Sequence, residues 1–292
     1  MTRTEHNPLR LVKNEYESQS ITVGVITHLP NRGGYHKDRL EIIGLCLASL
    51  RQRADLPFEL FVYDNGSCDD LTSLLGMCLR KGFIDTLILS ENIGKRRAMK
   101  RLVSMAPGFI FGYSDDDQLF MQDWLSPQVR ILASYPNVGV VTGMPTHVCF
   151  GWGVKSNKRF ALREDVTVQL GGWPDEWIED YIRSVGRNQF TLESYMKRFG
   201  ALTPGLLEYN GVKAWGTSHH GQFLGYRETL QPFIAAHEEY HLCMSKSIEW
   251  LDTPIDDAGY LRLATEDLLV RHIGNVMDDT IEELAEGVER WW

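Results

Sequence analysis

The sequence contains no apolar run of about 18 residues or more, the length a membrane-crossing helix needs, so no segment is expected to span a bilayer. Its opening stretch, MTRTEHNPLRLVKNEYESQS, is polar and lacks the apolar core of a secretory signal. The five cysteines (Cys46, Cys68, Cys78, Cys149 and Cys243) are scattered, odd in number and form no C-x-x-C pair. That usage argues against a disulfide frame or a zinc site and for free thiols in a reducing compartment. An excess of positive charge is missing too: 30 Lys and Arg stand against 39 Asp and Glu, a net charge of −9. Broad electrostatic binding to nucleic acid or to an anionic membrane is therefore disfavoured, and only a local basic patch is left open. No internal repeat and no low-complexity segment occurs. With 292 residues, 43% hydrophobic and 24% charged, the chain has an ordinary globular composition and enough length for a sizeable core. A cytoplasmic protein is expected, with peripheral attachment to a membrane as the variant.

From Ile21 the pattern becomes regular. ITVGVIT (21–27) is a β-branched run of the kind that forms a buried strand, and RLEIIGLCLASLRQ (39–52) repeats apolar residues at helical spacing. FELFVYD (58–64) predicts a second strand, and DLTSLLGMCLRKG (70–82) a second helix ending at glycine. A third strand (84–90), a third helix (94–106), a fourth strand FIFGYS, a helix over 124–134 and a strand from Val138 follow in alternation. Short connections between alternating strands and helices predict a mostly parallel sheet covered by helices on both faces, an α/β architecture. Ligands of such sheets bind outside the carboxyl ends of the strands. Three strands here end in polar residues: Thr27-His28, Asp64-Asn65 and Ser114 to Asp117.

Between about 150 and 219 the rhythm breaks. The segment holds Trp152, Trp173, Trp177 and Trp215, several paired glycines, and expected helices over 175–185 and 191–199. Sheet-like order resumes at GQFLGYRE (221–228), before a helical stretch (238–251) and the runs GYLRLAT and LLVRHIGN. At the end, Thr280 and Glu283 have capping-box spacing, and Ile281, Leu284, Val288 and Trp291 make a helical apolar stripe. The division expected is an N-terminal extension (1–20), one domain (21–275) carrying an insert (150–218), and a C-terminal helix (276–292) docked on that domain. Docking is favoured over membrane anchoring because the polar face of the last helix is acidic.

The stretch FIFGYSDDD (109–117) runs from a buried strand straight into three consecutive carboxylates. Their mutual repulsion is costly unless a cation sits among them or the loop is solvated, as an acidic helix start would be. Taken with its surroundings, this stretch belongs to a series. VYDNGSCDD, SENIGKRRAMKRL and FIFGYSDDDQLFMQDWL, followed by GQFLGYRE, EEYHL and LLVRHIGN, resemble in order the motifs of family 2 glycosyltransferases of the GT-A fold. The resemblance covers roughly residues 20 to 275 apart from the insert. It implies a GT-A (Rossmann-like) sheet flanked by helices, with the Trp-rich insert and the C-terminal helix as additions. It also implies a nucleotide-sugar donor and a divalent metal, Mn²⁺ or Mg²⁺, bridging the donor's phosphates.

Carried over residue by residue, the resemblance assigns the metal to Asp117, with Asp115 on the metal or the ribose and Asp116 toward the sugar or solvent. His272 becomes a third ligand, a reasonable role for a neutral imidazole beside carboxylates. Asp64 would accept the N3–H of uracil, favouring a UDP-sugar, and Thr27, His28, Asn31, Arg32 and Asn65 would complete the base and ribose pocket. Asn92, Gly94, Lys95 and Arg97 would face the phosphates from a helix N-terminus, although Arg96, Arg97, Lys100 and Arg101 also suit a solvated helix face. Lys100 stands where the family commonly has Asn. An inverting transfer needs a carboxylate base, and the matching pair is Glu238-Glu239, with Glu239 first. The literal Glu179-Asp180 pair lies in the insert and is the competing choice. The tryptophans would build an acceptor pocket, a satellite core or an interface between copies of the chain. The resemblance implies an acceptor that is a glycan or another hydroxyl compound. Two other functions remain open: a non-catalytic nucleotide- or glycan-binding protein of the same fold, and a sugar-phosphate nucleotidyltransferase, for which THLPNRGG is a poor glycine-rich loop.

Overall fold

The computed structural model describes residues 19–145, 155–186, 191–199, 205–236 and 251–291. Strands β1 (Ile21–Thr27), β2 (Glu59–Asn65), β3 (Thr86–Ser90) and β4 (Ile110–Asp115) alternate with helices α1 (Arg39–Gln52), α2 (Asp69–Arg80) and α3 (Lys95–Met105). The chain continues through β5 (Gln118–Phe120), α4 (Leu125–Ser134) and β6 (Val138–Thr142). The insert supplies α5 (Lys155–Phe160), β7 (Thr167–Leu170), α6 (Asp175–Ser184), α7 (Leu192–Phe199) and the hairpin β8 (Gly205–Tyr209) and β9 (Val212–Trp215). After it come β10 (Gln222–Tyr226), α8 (Arg227–Ala235), α9 (Thr253–Asp257), β11 (Leu261–Ala264), β12 (Val270–His272) and α10 (Asp279–Leu284).

The large sheet has the order β3-β2-β1-β4-β10-β6-β11-β9-β8-β7. Its first four strands are parallel, β6 and β11 run the same way, and β10, β9 and β7 run against them. The sheet is thus mostly parallel, as the alternation of elements requires. β1 and β2 are buried along their whole length, which explains their nearly continuous apolar sequences. Val23 and Val25 of β1 pack with α1, α2 and α4 on one face. Ile26 faces the opposite cluster, built from Ala98, Met99, Leu102 and Val103 of α3 with Leu230 and Ile234 of α8. Helices therefore cover both faces, and the strand ends are left as the open rim.

Three places depart from the expected pattern, one in the insert, one after it and one before it. The stretch around Asn210-Gly211, read as irregular, forms the β8–β9 hairpin, with φ of 51° and 71° at its two turn residues. That Asn-Gly pair is the residue choice such a turn needs, because both positions take positive φ. GQFLGYRE divides into β10 and the start of α8 at Arg227. QLF, directly after the three aspartates, forms β5, a separate two-stranded sheet with β12 in which Gln118 lies opposite His272.

At the C-terminus, the expected capping box at Thr280 is not formed. Asp278, in extended conformation, accepts the Ile281 N–H at 2.9 Å and caps α10 in its place. The helix ends at Leu284, so Val288 and Trp291 reach the core from non-helical chain. Docking itself is extensive. Ile281 and Ala285 pack with Ile42, Leu45, Leu119 and Ile273, and Trp291 stacks on Phe83 with ring centroids 3.6 Å apart. Arg53 donates to the carbonyls of Leu284 and Glu286, at 3.0 and 2.8 Å. Among the described residues no helix is long and apolar enough to cross a membrane. Cys46 and Cys78 are buried free thiols and Cys68 is half-buried; Cys149 and Cys243 lie outside the described residues.

Candidate active site

The register of the parallel strands sets three polar strand ends side by side, two of them carrying carboxylates. Thr27 at the end of β1 lies opposite Asp64 of β2, and on the other side of β1 Asp115 of β4 lies opposite Ile26. Asp64 is buried; its Oδ1 accepts from the Thr27 hydroxyl at 3.1 Å and its Oδ2 from the Ser67 N–H at 3.1 Å. His28 Nδ1 lies 3.1 Å from the Asn65 carbonyl. The Asn65 side chain donates to Asn92 Oδ1 at 3.1 Å and accepts from the Ile93 N–H at 2.9 Å. Asn92 Oδ1 also accepts the Gly94 N–H at 3.0 Å, which sets the start of α3 beside the end of β2. Gly66 makes that approach possible: its φ is +82°, and a Cβ there would sit 2.7 Å from the Asn92 nitrogen.

Each of the three aspartates has a cation of the chain itself. Lys95, first residue of α3, lies 2.5 Å from Asp115 Oδ1, which also accepts from the Tyr113 hydroxyl at 2.5 Å. Asp116 is bound by Arg39 from the first position of α1 and accepts from the His28 N–H at 3.3 Å. Asp117 Oδ2 lies 3.6 Å from Arg39 Nη1 and 3.6 Å from His272 Nε2, and Asp117 Oδ1 accepts from the Gln118 side chain at 3.1 Å. The repulsion posed by the triple aspartate is thus answered within the fold.

The three pairs are not equal. Lys95 is half-exposed, at 48%, and such a pair contributes on the order of 1 kcal/mol or less, so an incoming ligand can recruit either partner. Arg39 and Asp116 are 9% and 11% exposed, and separating them would leave an uncompensated buried charge. Burial raises the Asp116 pKa, with Arg39 opposing and Asp117 reinforcing the rise. Asp117 is lowered to about 2: burial acts against ionisation, and His272, with Arg39 and Lys95 behind it, overcomes that. For His272 burial disfavours the charged form, but Asp117 outweighs it and the pKa is raised. Asp115 and Asp117 are therefore the available carboxylates, and Asp116 is committed to Arg39.

Asp117 and His272 also fit a divalent metal. Their 3.6 Å separation is longer than a hydrogen bond and within the span of two donors each about 2.1 Å from one cation. His272 Nδ1 lies 2.9 Å from the Ser184 hydroxyl, the outer contact that turns the other ring nitrogen toward a ligand. Among the described residues no group of three or more His, Cys, Asp or Glu is placed to hold a metal ion. Two protein donors with the remaining positions open is the arrangement by which Mg²⁺-like ions bind to substrate phosphates.

Other candidates lie apart. Asn31 closes its own turn through the Gly33 N–H, and Arg32 pairs with Asp70 at 3.0 Å on the surface. Arg97 is exposed, and Arg101 donates to the Tyr63 hydroxyl at 2.8 Å. Asp180 is tied to Arg183 at 2.7 Å and to Arg271, bracing α6 against β12. Beside them an open cleft of about 270 Å³ has Arg183, Ser184 and His272 in its walls. Glu238 and Glu239 lie outside the described residues, as does Trp152. Trp173 packs against Trp215 at 4.9 Å, in a cluster with Leu206 and Ala264, so these tryptophans form a satellite core.

Sequence reasoning missed Arg39, Tyr113, Ser184 and the pair His219-His220. His219 and His220 stack at 4.8 Å just before β10, and His220 Nδ1 lies 3.2 Å from Asp252, which Arg262 holds at 2.8 Å. The dipeptide directly ahead of a strand that enters the sheet next to β4 was the available signal.

A family model described as Glycosyl transferase family 2 matches residues 35–196. No curated protein sequence matches the chain. Among solved structures, the mannosyltransferase PcManGT from Pyrobaculum calidifontis, in complex with GDP-Man and Mn²⁺, is 16% identical with a TM-score of 0.45, over 86% of this chain and 56% of that one. S. aureus TarS 1–349 is 16% identical with a TM-score of 0.32, over 45% of this chain and 40% of that one. The chain thus spans about half the length of these two structures. With the family model covering more than half of its 292 residues, across the strand ends that carry Asp64 and the three aspartates, the chain belongs to glycosyl transferase family 2.

Proposed function

We propose that the chain transfers a sugar from a UDP-sugar to an acceptor hydroxyl, with inversion, at a site formed by the carboxyl ends of β1, β2 and β4. The domain division read from the sequence, a catalytic unit over 21–275 with an acceptor-side insert, is part of the same proposal. The observation that carries it is the meeting of Asp117 with His272, at 3.6 Å, on the same rim of strand ends as the buried Asp64.

In this reading Asp64 accepts the uracil N3–H while Thr27 and Ser67 hold its carboxylate in place. His28, Asn65, Asn92 and Gly94 shape the nucleoside pocket, and Asn31, Arg32 and Arg97 stand at its rim. Asp117 and His272 hold a Mn²⁺ or Mg²⁺ ion, and Asp115 joins the ion or the ribose. The metal's chemistry is to neutralise charge growing on the departing diphosphate. Lys95, released from Asp115, adds a second cation to that diphosphate from the helix N-terminus. The acceptor oxygen bonds to the anomeric carbon as the bond from that carbon to the diphosphate oxygen breaks. The hydroxyl proton passes to a carboxylate, for which Glu239 is the first assignment and Glu238 the second.

Thermal unfolding with UDP, GDP, CDP, ADP and dTDP, each with and without Mn²⁺, tests the donor. A nucleotide at a hundred times its dissociation constant adds about 2.7 kcal/mol, a rise of several degrees. A rise for UDP that requires Mn²⁺ and is lost in Asp117→Ala is the expected result. A larger rise for another nucleotide would discard the UDP assignment, and a rise independent of Mn²⁺ would transfer the phosphate-binding role to Lys95 and its neighbours.

A further inference from the structure

We infer that His219 is a specificity-determining residue that donates a hydrogen bond from Nε2 to the sugar of the bound donor. This rests on the donor site proposed above.

The ring's protonation is set by its own backbone. The Gly221 N–H donates to His219 Nδ1 at 3.0 Å, so Nδ1 is an acceptor and the imidazole carries its proton on Nε2. The residue is 9% exposed. Nε2 is not one of the buried side-chain atoms left without a partner, so it reaches solvent, and a sugar hydroxyl can take the place of water there. Burial, followed by the neighbouring His220 and His272, pushes the His219 pKa well below its ordinary value, in agreement with the neutral tautomer.

The ring is held in place from behind. His219 stacks on His220, with planes 16° apart, and His220 is fixed through Asp252 to the fully buried Arg262. Tyr181 of α6 meets its edge at 6.0 Å. In front, the Asp115 N–H donates to the Gly221 carbonyl at 2.7 Å, so this turn is bonded directly to the end of β4. A Cβ on Gly221 would lie 3.0 Å from the His219 ring and 3.4 Å from Asp115 Oδ2, and its absence lets the ring stand close to that carboxylate. His219 also feels the charges of Lys95, Asp117 and His272. A diphosphate held by those groups ends, on its distal side, in the sugar. A neutral N–H there can accept no proton from the acceptor and adds no charge to compete with the metal. What it can do is recognise a sugar hydroxyl or ring substituent by position, and sites built to bond a hydroxyl reject analogues that lack it.

The test compares a nucleotide with its sugar-bearing form on the full chain. Dissociation constants for UDP, UDP-glucose and UDP-N-acetylglucosamine are measured by calorimetry with Mn²⁺ for wild type, His219→Phe and His219→Gln. Phe keeps an aromatic ring on His220 and removes the donor; Gln restores a donor of similar reach. The expected result is UDP affinity within twofold of wild type in both variants. Binding of the sugar nucleotide that wild type prefers should be weakened about tenfold in His219→Phe and partly recovered in His219→Gln. Equal losses for UDP and UDP-sugar in His219→Phe would mean a structural role and overturn the inference. No change for either ligand would overturn it too, with the donor site intact. Failure of wild type to bind any of the three would overturn it together with the UDP-sugar reading.

Discussion

Arg39, the first residue of α1, reaches across to Asp116, and its other terminal nitrogen stands 3.6 Å from Asp117. One buried guanidinium thus serves two members of the triple aspartate, and α1 is anchored to the end of β4 by charge as well as by packing. This has an unequal consequence for the two partners. Removing only the cation leaves Asp116 buried beside two other carboxylates, whereas removing both charges leaves two neutral side chains. Arg39→Met is expected to lose about 3 kcal/mol of stability, and Arg39→Met with Asp116→Asn to recover at least half of it. Urea unfolding followed by circular dichroism measures both. A single variant within about 0.5 kcal/mol of wild type would mean that the pair contributes no more than an exposed one.

Ser184 touches His272 from α6, a helix of the insert, and so couples the insert to the proposed metal site. If the hydroxyl orients the imidazole, Ser184→Ala should weaken Mn²⁺ binding in the presence of UDP by about 10- to 100-fold while leaving UDP binding without metal unchanged. Electron paramagnetic resonance titration of free Mn²⁺ reads this directly. An unaltered Mn²⁺ affinity would reduce the Ser184 contact to helix packing.

How far the sequence discloses such couplings depends on their range. The alternation of apolar strands with amphipathic helices is a local property, and it located β1 to β4 and α1 to α3 within a residue or two. Asp64 and the three aspartates were legible because they end strands of a parallel sheet, where side chains converge by topology. β5 was not, since three residues are too few to show a period and its partner β12 lies far along the chain. That pairing is what sets His272 opposite Gln118, so the lone histidine could be placed only by the motif series. Arg39 looks like any charged residue at a helix start, and its burial follows from tertiary packing alone. At α10 the run Asp278-Asp279-Thr280 offered three capping residues, and the backbone conformation, not the composition, selected Asp278.

Trp291 lies against Phe83 with the rings 1° from parallel, near the end of a segment whose apolar residues fill the outer side of α1. Trp291→Ala should cost about 3 kcal/mol, at the low end for a buried tryptophan because the site is near the surface. Guanidinium unfolding gives the number. A cost below about 1 kcal/mol would show that the C-terminal segment is held by its hydrogen bonds to Arg53 and Gln52 and that the stack adds little.

Asp252 supplies the acid-side test of the buried chain behind His219. It is 1% exposed; burial opposes its ionisation, but Arg262 and then His220 outweigh burial and lower its pKa below the ordinary 3.8. A carboxylate lowered in the folded state stabilises that state above its unfolded pKa, and the contribution is lost as pH falls through the folded value. Wild type should therefore lose stability progressively below about pH 4. Asp252→Asn should be less stable at neutral pH, because the buried Arg262 loses the charge of Asp252, and its stability should fall less steeply with acid. Urea midpoints measured between about pH 6 and pH 3 compare the two slopes. Parallel slopes would mean that Asp252 titrates alike in the folded and unfolded chains, and that the clamp on His220 is held by packing alone.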